Sequence, residues 1–307
     1  MKQIIRRFLS NNPAGRNMYV TCAYWYYRIR LWFVPDLAML RKNYKKKFGT
    51  YPNLENPSTF NEKLSWLKLN DRTPLHTQCA DKYAVREHIA KKIGEEYLIP
   101  LVFHSKELKD VVPENFPDDM PFIIKTNHDS GGGVFVENKT DIDWKQARAD
   151  LKLRLLDNYY YRSGEWQYKN IDTCILAEQL LIDENGEIPA DFKLHCFNGK
   201  LGFVQVDIDR STDHKRNIYD PEWNLLDCEY IYKKGRDIEK PKVLEKMKSL
   251  AEVIAKDFTF ARVDFYNIGE KIYFGEITFH PESGTGRFIP QHWDQKFGDL
   301  LTLPKTK

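Results

Sequence analysis

Phe260-Ala261-Arg262-Val263-Asp264-Phe265-Tyr266, then Gly269, then Ile272-Tyr273-Phe274-Gly275-Glu276-Ile277-Thr278-Phe279 reads as two β-strands turning back on each other. Aromatic and β-branched residues dominate both runs, the composition of a pleated, half-buried surface. Two acids interrupt them. Carboxylates on paired strands, here Asp264 and Glu276, can bracket a magnesium ion, which takes oxygen ligands and leaves positions for phosphates. Register decides whether they do, because strand side chains alternate between faces. Arg262 and Asp264 share a face with Glu276 only if the loop has an odd residue count, such as Ile268-Gly269-Glu270. A two-residue loop would turn Glu276 to the opposite face and remove the metal site.

Working outward, residues 242–257 have helical periodicity. Before them, residues 192–197 alternate, Asn198-Gly199 turns and residues 201–208 return; Asn185-Gly186 is a second such turn after the apolar run 175–182. Asn-Gly between β-rich runs is a strong hairpin signal, so a meander is expected from Ile175 onward. If Asn198-Gly199 is a two-residue turn, Asp191, Lys193 and His195 share a face with Gly202, Val204 and Val206. Further upstream lie short strands at 101–103, 122–125 and 134–136, and a helix over 82–93 that stops at Gly94. Thr59 or Ser58 caps another helix, with Glu62 placed to complete a capping box. Helices and antiparallel strands in separate blocks give an α+β fold.

The chain has 307 residues and a formal charge of only +3, which excludes a polycation built for nucleic acid. No recognition helix, RNP signature or zinc finger is present, so no nucleic-acid partner is expected. The charge is uneven: residues 1–50 hold eleven Lys or Arg and one acid, Asp36. Ile4, Ile5, Phe8 and Leu9 fall on one helical face opposite Lys2, Arg6 and Arg7. An aromatic stretch follows (Tyr19, Tyr24, Trp25, Tyr26, Tyr27, Trp32, Phe33), and then Lys45-Lys46-Lys47. This composition suits a helix resting on an anionic membrane surface, or one packed on the body with a solvated basic face. The cysteines Cys22, Cys79, Cys174, Cys196 and Cys228 form no framework and read as reduced and intracellular. There is no secretory leader pattern and no apolar run of spanning length. The expected location is cytoplasmic, with residues 1–50 able to sit at the inner face of the membrane.

Three more segments carry chemistry. Lys125 closes the apolar strand Ile123-Ile124 and precedes Gly131-Gly132-Gly133. Backbone N–H groups can approach polyphosphate oxygens where no Cβ obstructs, and the ammonium offsets their charge. Glu178 sits inside the apolar strand Ile175-Leu176-Ala177 and needs a donor, which a purine amino group or a nearby lysine supplies. Asp191-Phe192-Lys193-Leu194-His195 aligns polar residues on one face, which means either solvent or a site.

Taken in order, these parts resemble the ATP-grasp carboxylate–amine ligases: Lys82 in an Asp-Lys helix start, Lys125 before a glycine loop, Glu178 before a hinge, and Arg262-x-Asp264 with Glu276. Three motifs are similar to the TupA-like branch, named for teichuronopeptide synthesis and associated with surface polysaccharides. They are Asn56-Pro57-x-Thr59-Phe60-Asn61-Glu62-Lys63; Asp191-Phe192-Lys193 with Cys196-Phe197-Asn198-Gly199-Lys200; and Phe274-Gly275-Glu276-Ile277-Thr278-Phe279. The resemblance implies two α+β subdomains clamping ATP, residues 76–180 with the glycine lid and residues 181–307 with the Mg²⁺ site. Residues 1–75 would form a basic helical region replacing the usual N-terminal α/β subdomain. Lys82 and Lys125 would hold phosphates under Gly131, Gly132 and Gly133. Glu178 and the Leu180 backbone would read adenine, and Asp183 or Glu184 the ribose. Asp264, Glu276 and Thr278 would hold Mg²⁺, Thr278 standing where the family has Asn. Arg262 and Lys193 would be catalytic as a carboxylate is activated to an acylphosphate and captured by an amine. A glycan carboxylate, such as a uronic acid, and an amino acid are the implied substrates.

Arg210, His214, Arg216 and Arg287 could receive an anionic substrate, since arginines match carboxylates bidentately; His280 lies near the same site. Two rival readings differ in class. Val206-Asp207-Ile208-Asp209 is an Asp-x-Asp that suits a metal-dependent glycosyltransferase of capsule synthesis. The alternative is a non-catalytic scaffold of that machinery.

Overall fold

The computed structural model describes residues 34–305 apart from 130, 210 and 211, together with scattered positions between 15 and 29. The amphipathic face at residues 4–9 and Arg210 therefore lie outside the described residues. The chain divides into two units: residues 100–180 with those before residue 40, and residues 40–99 with 181–307.

The first unit is built on an antiparallel sheet. Its strands are β1 (Leu101–Ser105), β2 (Phe122–Thr126), β3 (Val134–Val136) and β4 (Ile175–Gln179), in the order β1-β4-β2-β3. Phe122 and Ile124 alternate inward on β2 and pack with Val111, Phe116, Leu151, Ile175 and Ala177. Leu151 comes from the helix Trp144–Leu156, whose first turn is capped by the Asp143 carboxylate accepting from the Gln146 N–H at 3.0 Å. Burial of that face puts Lys125, one position out of phase, on the opposite face of β2.

In the second unit five antiparallel strands run β10-β9-β5-β6-β7: β5 (Asp191–Phe197), β6 (Lys200–Ile208), β7 (Lys215–Tyr219), β9 (Phe260–Ile268) and β10 (Lys271–Thr278). A two-stranded pair joins β8 (Glu229–Tyr230) to β11 (Phe288–Ile289). One sheet face is apolar: Phe192, Leu194, Val204, Val206, Val263 and Phe265 pack with Leu244, Met247, Ala251 and Ile254 of the helix Leu244–Ala255. Each such side chain contributes about 1.5–3 kcal/mol by leaving water. The other face changes character along the strands. At one end Phe197, Phe203 and Phe260 close on Phe60, Leu64 and Phe297; at the other it is charged.

Two bulges set which residues reach that charged end. The hairpin β9–β10 pairs Ile268 with Lys271, so its loop has two residues, Gly269 and Glu270. By itself that loop would send Glu276 to the apolar face, as the sequence reading requires. The register shifts between Phe274 and Glu276, however, and Gly275 is left over. Glu276 consequently pairs with Asp264 and returns to the same face. The β5–β6 hairpin repeats the device. Asn198 and Gly199 form the expected two-residue turn (φ 48° and 80°), but the register shifts and His195 pairs with Phe203 rather than Gly202. The face of Asp191, Lys193 and His195 is therefore shared with Phe203, Gln205 and Asp207, not with Val204 and Val206. Nor is the Asn185-Gly186 turn a hairpin: β4 before it and β5 after it belong to different sheets.

Candidate functional site

The charged end of the second sheet is a chain of alternating signs. Arg262 donates to both carboxylate oxygens of Asp264, through Nε and Nη2 at 2.7 Å each, and its Nη2 also reaches Glu276 Oε1 at 2.8 Å. The Thr278 hydroxyl donates to the same Glu276 oxygen at 3.0 Å. Lys193 bonds to Asp191, and its Nζ lies 3.6 Å from Asp264 Oδ2 and 3.7 Å from Asp207 Oδ2. Arg216 Nε donates to Asp207 Oδ1 at 2.6 Å, while its Nη1 reaches Glu282 Oε1 at 3.1 Å.

Burial decides how these groups hold charge. Asp264 is pushed up by loss of water, against the pull of Arg262 and Lys193. Burial also raises Asp207, but Arg216, followed by Lys193, outweighs it and brings the carboxyl down to about 2. Lys193 is lowered by burial despite its acidic neighbours. Glu276 keeps about half its surface (49% exposed), and Arg262, Lys82 and Lys193 hold it below the usual carboxylate range against desolvation.

Lys82 thus acts on Glu276. It sits in a turn whose N–H groups at Tyr83 and Ala84 are accepted by Asp81 Oδ1 at 2.8 and 3.1 Å. Asp183 accepts the N–H groups of Asn185 and Glu187, both at 2.9 Å, which lowers its pKa; Glu184 is exposed. The five residues expected to meet an anion scatter. His214 and Arg216 converge on Asp207. His280 is buried and held well below the normal imidazole range by desolvation, and Arg287 donates to the Lys47 carbonyl at 3.0 Å. Arg210 is outside the described residues.

In the first unit, Lys125 Nζ donates to Glu178 Oε2 at 3.0 Å, because the register Ile123↔Glu178 and Lys125↔Leu176 puts both on one face. The Leu180 N–H is committed to the Pro121 carbonyl at 2.9 Å. Arg154 was not foreseen: it bonds Asp129 at 2.8 Å and the Gly131 carbonyl at 3.1 Å, latching the glycine loop. A Cβ on Gly133 would meet the Ile124 carbonyl at 2.8 Å, so bulk is excluded there, while at Gly132 it would meet only the movable Arg154 guanidinium and the φ of 79° is what favours glycine.

Glu282 is another participant that the sequence reading missed, and Asp191 entered only as part of an aligned polar face. Asp207 entered only as half of an Asp-x-Asp, yet its carboxylate is spoken for by Arg216. Gly202 inside a strand was the signal of a bulge that would have moved Asp207 onto this face.

An all-oxygen set of Asp264, Glu276 and Thr278 suits a hard cation such as Mg²⁺ in donor chemistry. Among the described residues no group of three or more His, Cys, Asp or Glu is arranged to hold a metal. A metal here would need the Thr278 hydroxyl and oxygens from a ligand to complete its shell, and would share both carboxylates with Arg262.

The model of one protein family, described as TupA-like ATPgrasp, matches residues 62–302. Solved structures to which the chain is similar include D-alanine–D-alanine ligase from Bacillus anthracis, at 16% identity and a TM-score of 0.40, over 72% of this chain and 60% of that one. The Helicobacter pylori D-alanine–D-alanine ligase is similar at 15% identity and a TM-score of 0.44, covering 81% and 68% of the two chains. An L-amino acid ligase from Bacillus licheniformis gives 15%, 0.43, and coverage of 86% and 58%. The chain thus spans about 60% of the length of the first of these. No curated protein matches the sequence.

Proposed function

The chain belongs to the TupA-like ATP-grasp family, and from that premise we propose that it is an ATP- and Mg²⁺-dependent carboxylate–amine ligase. It would join an amino acid or similar amine to a carboxylate of a surface glycan or its precursor, a uronic acid being the expected class. The observation that carries this reading is the Asp264–Arg262–Glu276 triplet on one sheet face.

On this reading Lys82 and Lys125 bind the phosphates beneath Gly131, Gly132 and Gly133. Glu178 and the Leu180 carbonyl, the Leu180 N–H being committed to Pro121, orient adenine, while Asp183 and Glu184 meet the ribose. Asp264, Glu276 and Thr278 would hold Mg²⁺, which when bound draws charge from the transferring phosphoryl group. Arg262 is fixed by two acids before substrate arrives, so it can stabilise developing negative charge on the acylphosphate without reorganising. Lys193, anchored to Asp191, adds a second cation on that face. His214, Arg216, His280, Arg287 and Arg210 remain candidates for the carboxylate substrate, with His214 and Arg216 the two that lie together.

Among the described residues no helix is long and apolar enough to cross a membrane. The basic excess of residues 1–50 supports contact with an anionic bilayer; sedimentation with anionic liposomes should be lost on deleting residues 1–50.

The deciding experiment is nucleotide turnover. ADP and phosphate should appear when ATP, Mg²⁺, glucuronic acid and a mixture of amino acids are combined, and should vanish in Lys125→Ala. Release of UDP from a nucleotide sugar that survives Lys125→Ala but is lost in Asp207→Asn would overturn the proposal.

A further inference from the structure

Amide formation needs a proton acceptor, and none of the residues assigned above provides one. An amino acid arrives as an ammonium, and its nitrogen must shed protons as the C–N bond forms. Asp264 and Glu276 are tied to Arg262, and Lys193 is tied to Asp191.

His214 has the required surroundings. Its Nε2 lies 3.3 Å from Asp207 Oδ1, is itself buried, and makes no hydrogen bond of good geometry with any described residue, Asp207 included. Asp207 has a side chain only 2% exposed, and Arg216 clamps it through Nε at 2.6 Å and Nη2 at 3.4 Å. The carboxylate cannot swing away from the imidazole. Tyr232 stacks on the ring from the other side, with centroids 3.7 Å apart and planes at 29°. The Arg216 guanidinium lies 4.8 Å from that same tyrosine ring. The imidazole is therefore held in plane and in orientation, yet its side chain keeps 22% of its surface, so a solute can reach it. Asp207 also connects it to the candidate reaction centre: Asp207 Oδ2 is 3.7 Å from Lys193 Nζ, and Lys193 Nζ is 3.6 Å from Asp264 Oδ2.

We propose that His214 is the general base of the amide-forming step, with Asp207 as its positioning residue. This rests on the ligase reading and goes beyond an anion-binding role for His214. With Nε2 beside Asp207, the protonated nitrogen is favoured there and Nδ1 carries the lone pair that accepts the proton. Nδ1 takes the first proton from the ammonium and passes it to water. The freed amine nitrogen attacks the acyl carbon, the C–N bond forms, and the bond between the acyl carbon and the phosphate oxygen breaks with its electron pair leaving on phosphate. The second nitrogen proton goes to the departing phosphate. The charged and titratable groups around the imidazole are Asp207 from β6, Arg216 from β7, Tyr232 beyond β8, and Glu282 through Arg216. Asp213 and Lys215 flank it in sequence and pair with each other at 2.9 Å.

Two acceptors separate the step from the rest of the reaction. Hydroxylamine is unprotonated at neutral pH and needs no base to free its lone pair for attack, whereas an amino acid does. With ATP, Mg²⁺ and glucuronic acid, the ratio of amide to hydroxamate should fall about 10²-fold or more in His214→Gln. Asp207→Asn should depress the same ratio, with thermal denaturation used to select temperatures at which each variant is folded. A His214→Gln enzyme with an unchanged ratio overturns the proposal while leaving the ligase reading intact. A wild-type protein that yields neither product overturns both.

Discussion

Asp264 and Glu276 face each other across the last hairpin and share one guanidinium, that of Arg262, at 2.7 and 2.8 Å. Arg262 offers a rigid planar fork with several donors, which a lysine ammonium lacks. Arg262→Lys should therefore fold but lose at least about 10²-fold in ATP turnover, since one point charge cannot hold both acids in place. Arg262→Met should cost about 3–5 kcal/mol of stability by leaving a buried Asp264 without its partner. Urea midpoints at constant m-value separate the two effects.

The bulges that assemble this face are built on glycine for want of space. A Cβ on Gly202 would fall 2.5 Å from the Phe197 ring, closer than any real contact. Phe197 is packed between Phe60 and Phe260, with ring centroids 5.4 and 5.3 Å away, so it has nowhere to retreat. Gly202→Ala should lower stability by about 1–3 kcal/mol, the usual cost of overpacking. The loss should appear in the urea midpoint of the free protein, with no substrate present.

Local signals in this chain were legible, and counted ones were not. The capping box at Thr59 and Glu62 follows from four residues, and it forms: Thr59 Oγ1 accepts from the Glu62 N–H, and Glu62 Oε2 accepts from the Thr59 N–H. The Asn198-Gly199 turn forms for the same reason. Face assignment instead requires counting residues along a strand without error, and one extra residue inverts every later side chain. In the last hairpin an odd loop was the condition set for Asp264 and Glu276 to share a face; an even loop with a compensating bulge delivers the same pairing. In the β5–β6 hairpin the even loop was expected correctly, and the unsuspected bulge at Gly202 moved Asp207 into the charged cluster. The motif around Asn61 carried resemblance but no visible purpose. In the fold, the Asn61 N–H bonds Asp294 at 3.0 Å and its side-chain amide bonds the Gly286 carbonyl at 2.8 Å, pairings across more than two hundred residues that no local pattern encodes.

Asp207 should give the protein an acid limb of known sign. Its folded pKa of about 2 lies below the ordinary ~3.9 of an unfolded aspartate. The unfolded chain therefore takes up the proton first as pH falls. The contribution, roughly 2–3 kcal/mol, is fully present above about pH 5 and is lost progressively toward pH 2. Asp264, pushed up by burial, gives the opposite slope. Asp207→Asn should start from a lower plateau and show a flatter decline between pH 4 and 2 in urea titrations. An unchanged slope would mean that other carboxylates set the acid limb.

Lys125 and Glu178 hold each other at 3.0 Å, with side chains 21% and 12% exposed. If one binds phosphate and the other the adenine amino group, nucleotide must compete with this ion pair, and the two halves of the ligand do so separately. Glu178→Gln keeps the shape and hydrogen-bonding reach of the side chain while removing the charge that occupies the ammonium. Inorganic tripolyphosphate, which has no base, should then bind several-fold more tightly than to the wild type, because Lys125 no longer has an anion to give up. ATP should lose part of its advantage over GTP in the same variant, because the acceptor facing the purine amino group is weakened. Lys125→Ala should weaken tripolyphosphate and both nucleotides alike. Calorimetric titration of the three ligands against the two variants resolves the roles. Weaker tripolyphosphate binding in Glu178→Gln would show that the carboxylate orders Lys125 for phosphate rather than competing with it.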